Sequence, residues 1–174
     1  ILFEHFGQSL FIFNKGIPTH IFTEITEVIV AVYGFSVTDV VVNKYREAFF
    51  TKMLCKISKT KALTVVDSTG KKLLSTLEYR PFLIKPNVSE LCETFNTKIT
   101  TLHDIEKYSI KLQSLGARNV LVSMGDKGSV LFTETKQVIM QSAPHGNVIN
   151  TVGAGDSMVA GFIAGYLKSG DYKT

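Results

Sequence analysis

The stretch that decides the fold is Ala62–Ile84, which reads ALTVVDSTGKKLLSTLEYRPFLI. It opens with a continuous apolar run, Ala62–Val66, that ends in Asp67 and a Ser-Thr-Gly turn. Such a run is typical of a strand that is buried on both faces of a parallel sheet. A short helix is then predicted over Lys71–Leu77 and a second buried strand over Phe82–Ile84. The stretch therefore predicts a strand–helix–strand unit.

The same alternation continues on both sides of this unit. Downstream we predict helices at Asn87–Phe95 and His103–Leu115, a strand at Asn119–Val122, a hairpin of Val130–Phe132 with Gln137–Met140, and a helix at Ala154–Lys168. Upstream we predict strands at Phe11–Phe13, Ile21–Ile25, Val28–Val32 and Val37–Val42, and an amphipathic helix at Tyr45–Ser58. Strands that alternate with helices predict an α/β fold with a mostly parallel central sheet flanked by helices.

The composition is that of a globular protein with a substantial core. The 174 residues are 45% hydrophobic and 20% charged, which excludes a disordered chain and a coiled coil. Lys and Arg number 19 against 15 Asp and Glu, and this mild excess does not indicate a nucleic-acid partner. The best candidate for a membrane span, Val28–Val42, contains Asp39 and is shorter than the ~20 apolar residues that a bilayer requires.

The cysteines and the first residues indicate a compartment. Ile1–Phe13 lacks the basic start of a signal peptide, so we expect no secretion signal. Cys55 and Cys92 are too few for a disulfide framework and lack metal-ligand spacing, which favours reduced cysteines. We therefore expect a cytoplasmic protein with no membrane partner.

The sharpest chemical motif is NTVGAGDS at Asn150–Ser157. Gly153 and Gly155 allow a tight turn and close approach of a ligand to the backbone, and a predicted helix begins there. Backbone N–H groups in the first turn of a helix lack intrahelical partners, so this turn predicts an anion pocket suited to phosphate. Asp156 is then a candidate general base for an attacking hydroxyl. The alternative is a first-turn acid that the helix dipole favours.

Two further motifs follow predicted strands, where ligands of open α/β sheets bind. Ser123–Gly128, reading SMGDKG, offers a hydroxyl, glycines and the Lys127 ammonium to nucleotide phosphates or ribose, or forms an ordinary β-turn. In Lys85–Glu90, Asn87 and Glu90 are three residues apart, which suits both a helix capping box and a water-mediated Mg²⁺ site.

Other candidates are weaker. Asp67 ends a predicted strand and either lines the cleft or forms a turn. The four histidines show no metal-ligand spacing, and no P-loop sequence occurs. A dinucleotide fingerprint also fails, because Met158 stands where its third glycine is required. An oxidoreductase that uses these glycines for a dinucleotide is therefore disfavoured.

Three motifs together resemble one family. NTVGAGDSMVAGF at Asn150–Phe162 resembles the C-terminal signature of the phosphofructokinase B-type carbohydrate kinases, which are ribokinase-like. KPNVSEL at Lys85–Leu91 and VSMGDKG at Val122–Gly128 are similar to family motifs in the same order and spacing. The resemblance runs from about Ala62 to Thr174 and is closest to the branches that phosphorylate fructose 1-phosphate or tagatose 6-phosphate.

The resemblance implies ATP- and Mg²⁺-dependent phosphoryl transfer to a hydroxyl of a hexose phosphate, with fructose 1-phosphate as the first choice and tagatose 6-phosphate as the alternative. It implies that Asp156 is the proton acceptor and that the backbone of Gly153, Ala154 and Gly155 is the anion hole. It implies that magnesium is organised by Asn87 and Glu90. The residues that it implies for ATP binding are Lys85, Ser123, Gly125, Asp126, Lys127, Gly128 and Gly155.

The chain also departs from the family pattern. It has no Gly-Gly pair of the kind with which members grip the sugar, and members continue past Thr174, so we expect residues 1–174 to be an incomplete kinase domain. GIPTHIFTEI at Gly16–Ile25 faintly resembles the lid strands that often support a homodimer. We therefore expect possible lid strands in residues 1–27 and the α/β core in residues 37–174. A non-catalytic nucleotide-binding remnant stays open as an alternative.

Overall fold

The computed structural model describes residues 2–5, 8–13, 52, 54–59, 62–144 and 153–173. Within these residues the strands are β1 (Leu2–His5), β2 (Gln8–Phe13), β3 (Leu63–Asp67), β4 (Leu83–Ile84), β5 (Asn119–Ser123), β6 (Ser129–Phe132) and β7 (Val138–Gln141). The α-helices are α1 (Gly70–Thr76), α2 (Val88–Phe95), α3 (Leu102–Leu115) and α4 (Ala154–Ser169). Residues 54–58 are also helical, and Leu77–Tyr79 and Gly125–Lys127 form 3₁₀ turns.

The seven described strands form one sheet whose spatial order follows the chain, from β1 to β7. The central strands β3, β4 and β5 are parallel. The pairs β1–β2, β2–β3, β5–β6 and β6–β7 are antiparallel. Strands β2 and β6 thus run against the other five, so the sheet is mixed but mostly of one direction. The predicted α/β fold class is confirmed, with parallel pairing confined to the centre.

Alternating side chains of the central strands build a core on each face of the sheet. On one face, Val66 and Ile84 belong to a cluster with residues of segment 54–58, α1, α2 and α3. On the other face, Val65, Leu83 and Leu121 pack with residues of α4. The strands are therefore buried on both sides, which explains why their sequences are continuous apolar runs.

The ends of two helices are set by their own side chains. Asn87 and Glu90 form a capping box at the start of α2, and Thr101 and Asp104 form one at the start of α3. Each box satisfies two backbone N–H groups that a helix leaves unpaired. Gly116 ends α3 at φ 134°, and a Cβ there would overlap the Leu77 carbonyl, so no other residue fits without a backbone shift.

The predicted elements of the core are confirmed to within a few residues, including the hairpin that is now β6 and β7. Strand β1 was not predicted, and the strand predicted at Phe11–Phe13 is the end of β2. The strands predicted at Ile21–Ile25, Val28–Val32 and Val37–Val42 lie outside the described residues, as does most of the predicted helix Tyr45–Ser58. The assignment of residues 1–27 to lid strands stays a prediction. No helix in the described ranges has the length and apolarity needed to cross a bilayer.

Candidate active site

Three predicted site segments follow the carboxyl ends of the parallel strands. Asp67 is the last residue of β3, Lys85 directly follows β4, and Ser123 is the last residue of β5. A parallel bridge joins Asn87 to Ser123, and the Ser123 N–H donates to the Pro86 carbonyl at 3.1 Å. Because parallel strands end at one edge of the sheet, the KPNVSE and SMGDKG motifs lie side by side there.

Lys85 is buried at this edge, with 6% of its surface exposed. Its Nζ lies 3.1 Å from Oδ2 of Asp67, whose side chain is also largely buried. A buried ammonium requires a partner because it has lost its hydration. The pair therefore joins the end of β4 to the end of β3 and fixes the direction of the Lys85 side chain.

The first turn of α4 contacts the same ammonium. Gly153 is the N-cap in a left-handed conformation, with φ 78°, and supplies no side-chain cap. The Ser157 N–H donates to the Gly153 carbonyl, so the N–H groups of the three preceding residues, through Asp156, lack an acceptor within the helix. A Cβ built on Gly155 would lie 3.0 Å from Lys85 Nζ. The predicted anion pocket thus has a cation against its backbone.

Electrostatic interactions join four side chains into one group, which we call the charged cluster: Asp67, Lys85, Glu90 and Asp156. Burial raises the pKa of Asp67, Lys85 opposes this rise, and the negative charge of Asp156 adds to it. Burial also raises the pKa of Glu90. The hydrogen bond from the Asn87 N–H and the positive charge of Lys85 lower this pKa, while the negative charge of Asp67 raises it further. Asp67 and Glu90 thus interact with the Lys85 ammonium, and Asp156 interacts with Asp67. Three carboxylates against one ammonium give the cluster an excess of negative charge, which favours a bound cation.

Asn87 and Glu90 fulfil the structural role that their spacing predicts. The Asn87 N–H donates to Glu90 Oε2, and the Glu90 N–H donates to Asn87 Oδ1, both at 2.8 Å. Within the described residues, Glu90 Oε1 accepts no hydrogen bond, and no three acidic, His or Cys side chains form a closed metal site. Magnesium is commonly held by one or two carboxylates with phosphate and water, so a half-buried carboxylate with a free oxygen fits that ion.

The SMGDKG turn lines a cavity of about 490 Å³ between the starts of α2 and α3. Ser123, Gly125, Asp126 and Lys127 contribute to its wall, together with Asn87, which is bridged to Ser123. The remaining glycine of the motif has a different position: Gly128 is buried, and a Cβ there would overlap the backbone of residues 141–143. Its φ of 87° serves the turn into β6, while its predicted contact with ATP stays a prediction.

The structure gives Asp67 more importance than the sequence did. Its pairing with Lys85 depends on the parallel register of β3 with β4, in which Val66 lies opposite Ile84. In the sequence, Asp67 could be recognised only as an acidic residue at the carboxyl end of a buried strand. Such a residue is typical of a ligand-binding cleft but also of a turn.

Comparison with known proteins identifies the family of the chain. Residues 22–174 match the sequence profile of the pfkB family carbohydrate kinases. The chain belongs to this family. Its predicted membership is confirmed, and the ribokinase-like fold is confirmed with it.

Individual family members are similar over part of their length. The chain is 47% identical over 107 residues to 1-phosphofructokinase of Bacillus subtilis, covering 62% of this chain and 35% of that protein. It is 36% identical over 99 residues to 1-phosphofructokinase of Borreliella burgdorferi, covering 57% of this chain and 32% of that protein. The chain thus spans about a third of the length of these curated relatives.

Solved structures of the family superpose on the described fold. Phosphofructokinase-2 of Escherichia coli, in complex with substrates and products, matches with a TM-score of 0.63 and 30% identity, over 71% of this chain and 40% of that one. Ribokinase of Arabidopsis thaliana, complexed with ribose and ATP, matches with a TM-score of 0.63 and 26% identity, over 74% and 41%.

Proposed function

We propose that the protein transfers the γ-phosphoryl group of ATP to a hydroxyl of a hexose phosphate. The observation that carries this proposal is the contact between Lys85 and the first turn of α4, where unpaired N–H groups lie beside Asp156. Phosphoryl transfer depends mainly on positioning and on stabilisation of negative charge, and these groups supply both.

In the proposed reaction, Asp156 accepts the proton of the attacking sugar hydroxyl. The hydroxyl oxygen forms a bond to the γ-phosphorus as the bond from that phosphorus to the bridging oxygen breaks. The bridging oxygen leaves with the electron pair on ADP, and the phosphorylated sugar is the second product. The N–H groups of Ala154 and Gly155, with the Lys85 ammonium, stabilise the charge on the transferred group.

The remaining predicted residues hold the nucleotide. Ser123, Gly125, Asp126 and Lys127 line one wall of the cavity beside Asn87 and are proposed to contact the ATP phosphates. When bound through Glu90 and Asn87, magnesium would neutralise phosphate charge.

The substrate that we propose first is fructose 1-phosphate, with fructose 1,6-bisphosphate as the product. Support comes from the curated relatives, several of which are named 1-phosphofructokinase. Tagatose 6-phosphate stays the alternative sugar. A non-catalytic nucleotide-binding protein of the same fold stays the alternative function, because the chain spans about a third of its relatives. A homodimer formed through lid strands and a cytoplasmic location stay predictions.

The test is an ADP-release assay with fructose 1-phosphate, tagatose 6-phosphate and fructose 6-phosphate. We expect turnover with fructose 1-phosphate and a fall in kcat of about 10²–10⁴-fold for Asp156→Asn, because the general base is lost. Affinity for the ATP analogue AMP-PNP should persist in this variant. Glu106→Gln, an exposed acid on α3, is the matched control and should retain wild-type kcat.

Each other outcome has a defined meaning. Turnover by Asp156→Asn at the wild-type rate would refute the assignment of the base. Binding of AMP-PNP without turnover of any of the three sugars would favour the non-catalytic alternative. Preferred turnover of tagatose 6-phosphate would retain the kinase and change its substrate.

A further inference from the structure

The Asp67–Lys85 ion pair is largely buried, and burial disfavours both of its charges. Both side chains are largely buried, and the pKa of Asp67 is raised even though an ammonium lies 3.1 Å away. Desolvation thus outweighs the attraction at this carboxylate, and Asp156 adds repulsion. Buried ion pairs of this kind are often no more stabilising than apolar residues of the same size. The arrangement therefore calls for a role other than stability.

The geometry indicates that role. An ammonium has three N–H donors, and one of them is directed at Asp67. In the described part of the chain, the Lys85 ammonium forms no further hydrogen bond. Its Nζ lies against Gly155, in the turn whose N–H groups also lack acceptors. Two remaining donors and a row of backbone donors therefore meet at one place, which suits a phosphate oxygen.

We propose that Asp67 is a positioning residue that holds the Lys85 ammonium against the first turn of α4, where both bind the terminal phosphates of ATP. This inference rests on the proposed function for the identity of the ligand. Asp67 itself touches no phosphate, since its charge would repel one. It acts through Lys85: without the carboxylate, a long lysine side chain has many conformations and the ammonium leaves the pocket.

A double-mutant cycle tests this role. Affinity for Mg²⁺·AMP-PNP is measured by calorimetry for the wild-type protein, Asp67→Asn, Lys85→Met and the double variant. We expect Asp67→Asn to weaken binding about tenfold, because the ammonium is displaced. In the Lys85→Met background, the same change should have no effect. Additive losses in the two backgrounds would overturn the proposal.

Three further measurements separate positioning from damage to the fold. Asp67→Glu keeps a carboxylate for Lys85 and should retain more affinity than Asp67→Asn; equal loss would count against the proposal. In the turnover assay, Asp67→Asn should raise KM for ATP and leave KM for the sugar phosphate unchanged. Glu134→Gln breaks a different carboxylate–cation pair, with Arg118, and should leave AMP-PNP affinity at the wild-type value.

The cycle remains decisive if one variant does not fold. Asp67→Asn leaves a buried ammonium without its partner, whereas Lys85→Met and the double variant contain no such ammonium. If Asp67→Asn is unfolded, the affinity of Asp67→Glu is compared with that of the wild type. The effect of removing the carboxylate in the absence of the ammonium is then measured by comparing Lys85→Met with the double variant. Binding of AMP-PNP does not require turnover. A protein that binds it with the expected coupling but phosphorylates no sugar would therefore refute the proposed function and uphold the role of Asp67.

Discussion

The replacement Gly155→Ala probes the contact between α4 and Lys85 with a single methyl group. The added Cβ would lie 3.0 Å from Lys85 Nζ and 3.3 Å from Cε, whereas favourable contacts of such atoms are at ~3.5–4.0 Å. The ammonium must therefore retreat by a few tenths of an ångström. It is buried and paired with Asp67, so such a movement disturbs the 3.1 Å ion pair as well.

The size of the effect follows from that displacement. A misplacement of ~1 Å in an active site can cost ~10²-fold, so we expect kcat/KM for ATP to fall about tenfold. The fold should tolerate the change, because alanine is favoured over glycine within a helix by about 1 kcal/mol, which offsets the crowding. The assay is ADP release at varied ATP, with thermal unfolding measured on the same samples.

Gly161→Ala is the matched control for this prediction. It makes the same change in the same helix, but a Cβ there meets no atom within 4 Å. We expect its kcat/KM to equal that of the wild type and its stability to be equal or higher. The reasoning is refuted if Gly155→Ala keeps the kcat/KM of Gly161→Ala, since the Lys85 contact would then have no catalytic consequence.

Two further predictions concern the carboxylates. Glu90→Gln retains an oxygen that accepts from the Asn87 N–H but loses the negative charge. The Mg²⁺ concentration for half-maximal activity should therefore rise about tenfold, with little change in stability. Asp104→Asn makes the same change in the α3 capping box and should leave that concentration unaltered, so equal shifts in the two variants would contradict the metal assignment. Arg118 donates to both oxygens of Glu134 at 2.8 and 2.7 Å and lowers its pKa below the ordinary 4.5. A carboxyl whose pKa is lower in the folded state than in the unfolded state stabilises the fold at pH values above its unfolded-state pKa. This stabilisation is lost as the pH falls through the folded-state pKa. The wild type and Glu134→Gln should differ in unfolding free energy by at most about 1 kcal/mol, because the pair is so exposed. This difference should be constant near neutral pH and shrink on acidification below pH 4.5. Urea unfolding at several pH values measures it. A difference that grows on acidification would contradict this assignment.

Local sequence patterns predicted most of the described core because the forces that set those elements act over a few residues. The apolar run that became β3 and the capping box of Asn87 and Glu90 can each be recognised within one strand or one helical turn. Strand β1 was missed because its four residues, LFEH, carry too little pattern to identify a strand that pairs with β2.

The roles of individual residues were harder to predict from the sequence than the helices and strands. Gly128 was assigned to ATP by its motif, and that assignment stays a prediction. The structure adds a steric reason for glycine, since a Cβ there would overlap the backbone of residues 141–143, which approaches it through the β6–β7 pairing. Asp67 was ambiguous because a strand-end acid suits a turn as well as a cleft. Neither role could be recognised without knowing which distant segments meet.

The sequence by itself determined the succession of strands and helices, the family, and the types of groups available for phosphoryl transfer. Tertiary structure decided that Asp67, Lys85 and Gly155 share one place. The physical reason is that these residues belong to β3, the end of β4 and the start of α4, and local propensities do not specify how distant elements pair. Their meeting depends on the parallel register of β3 with β4 and on the packing of α4 over Val65 and Leu83.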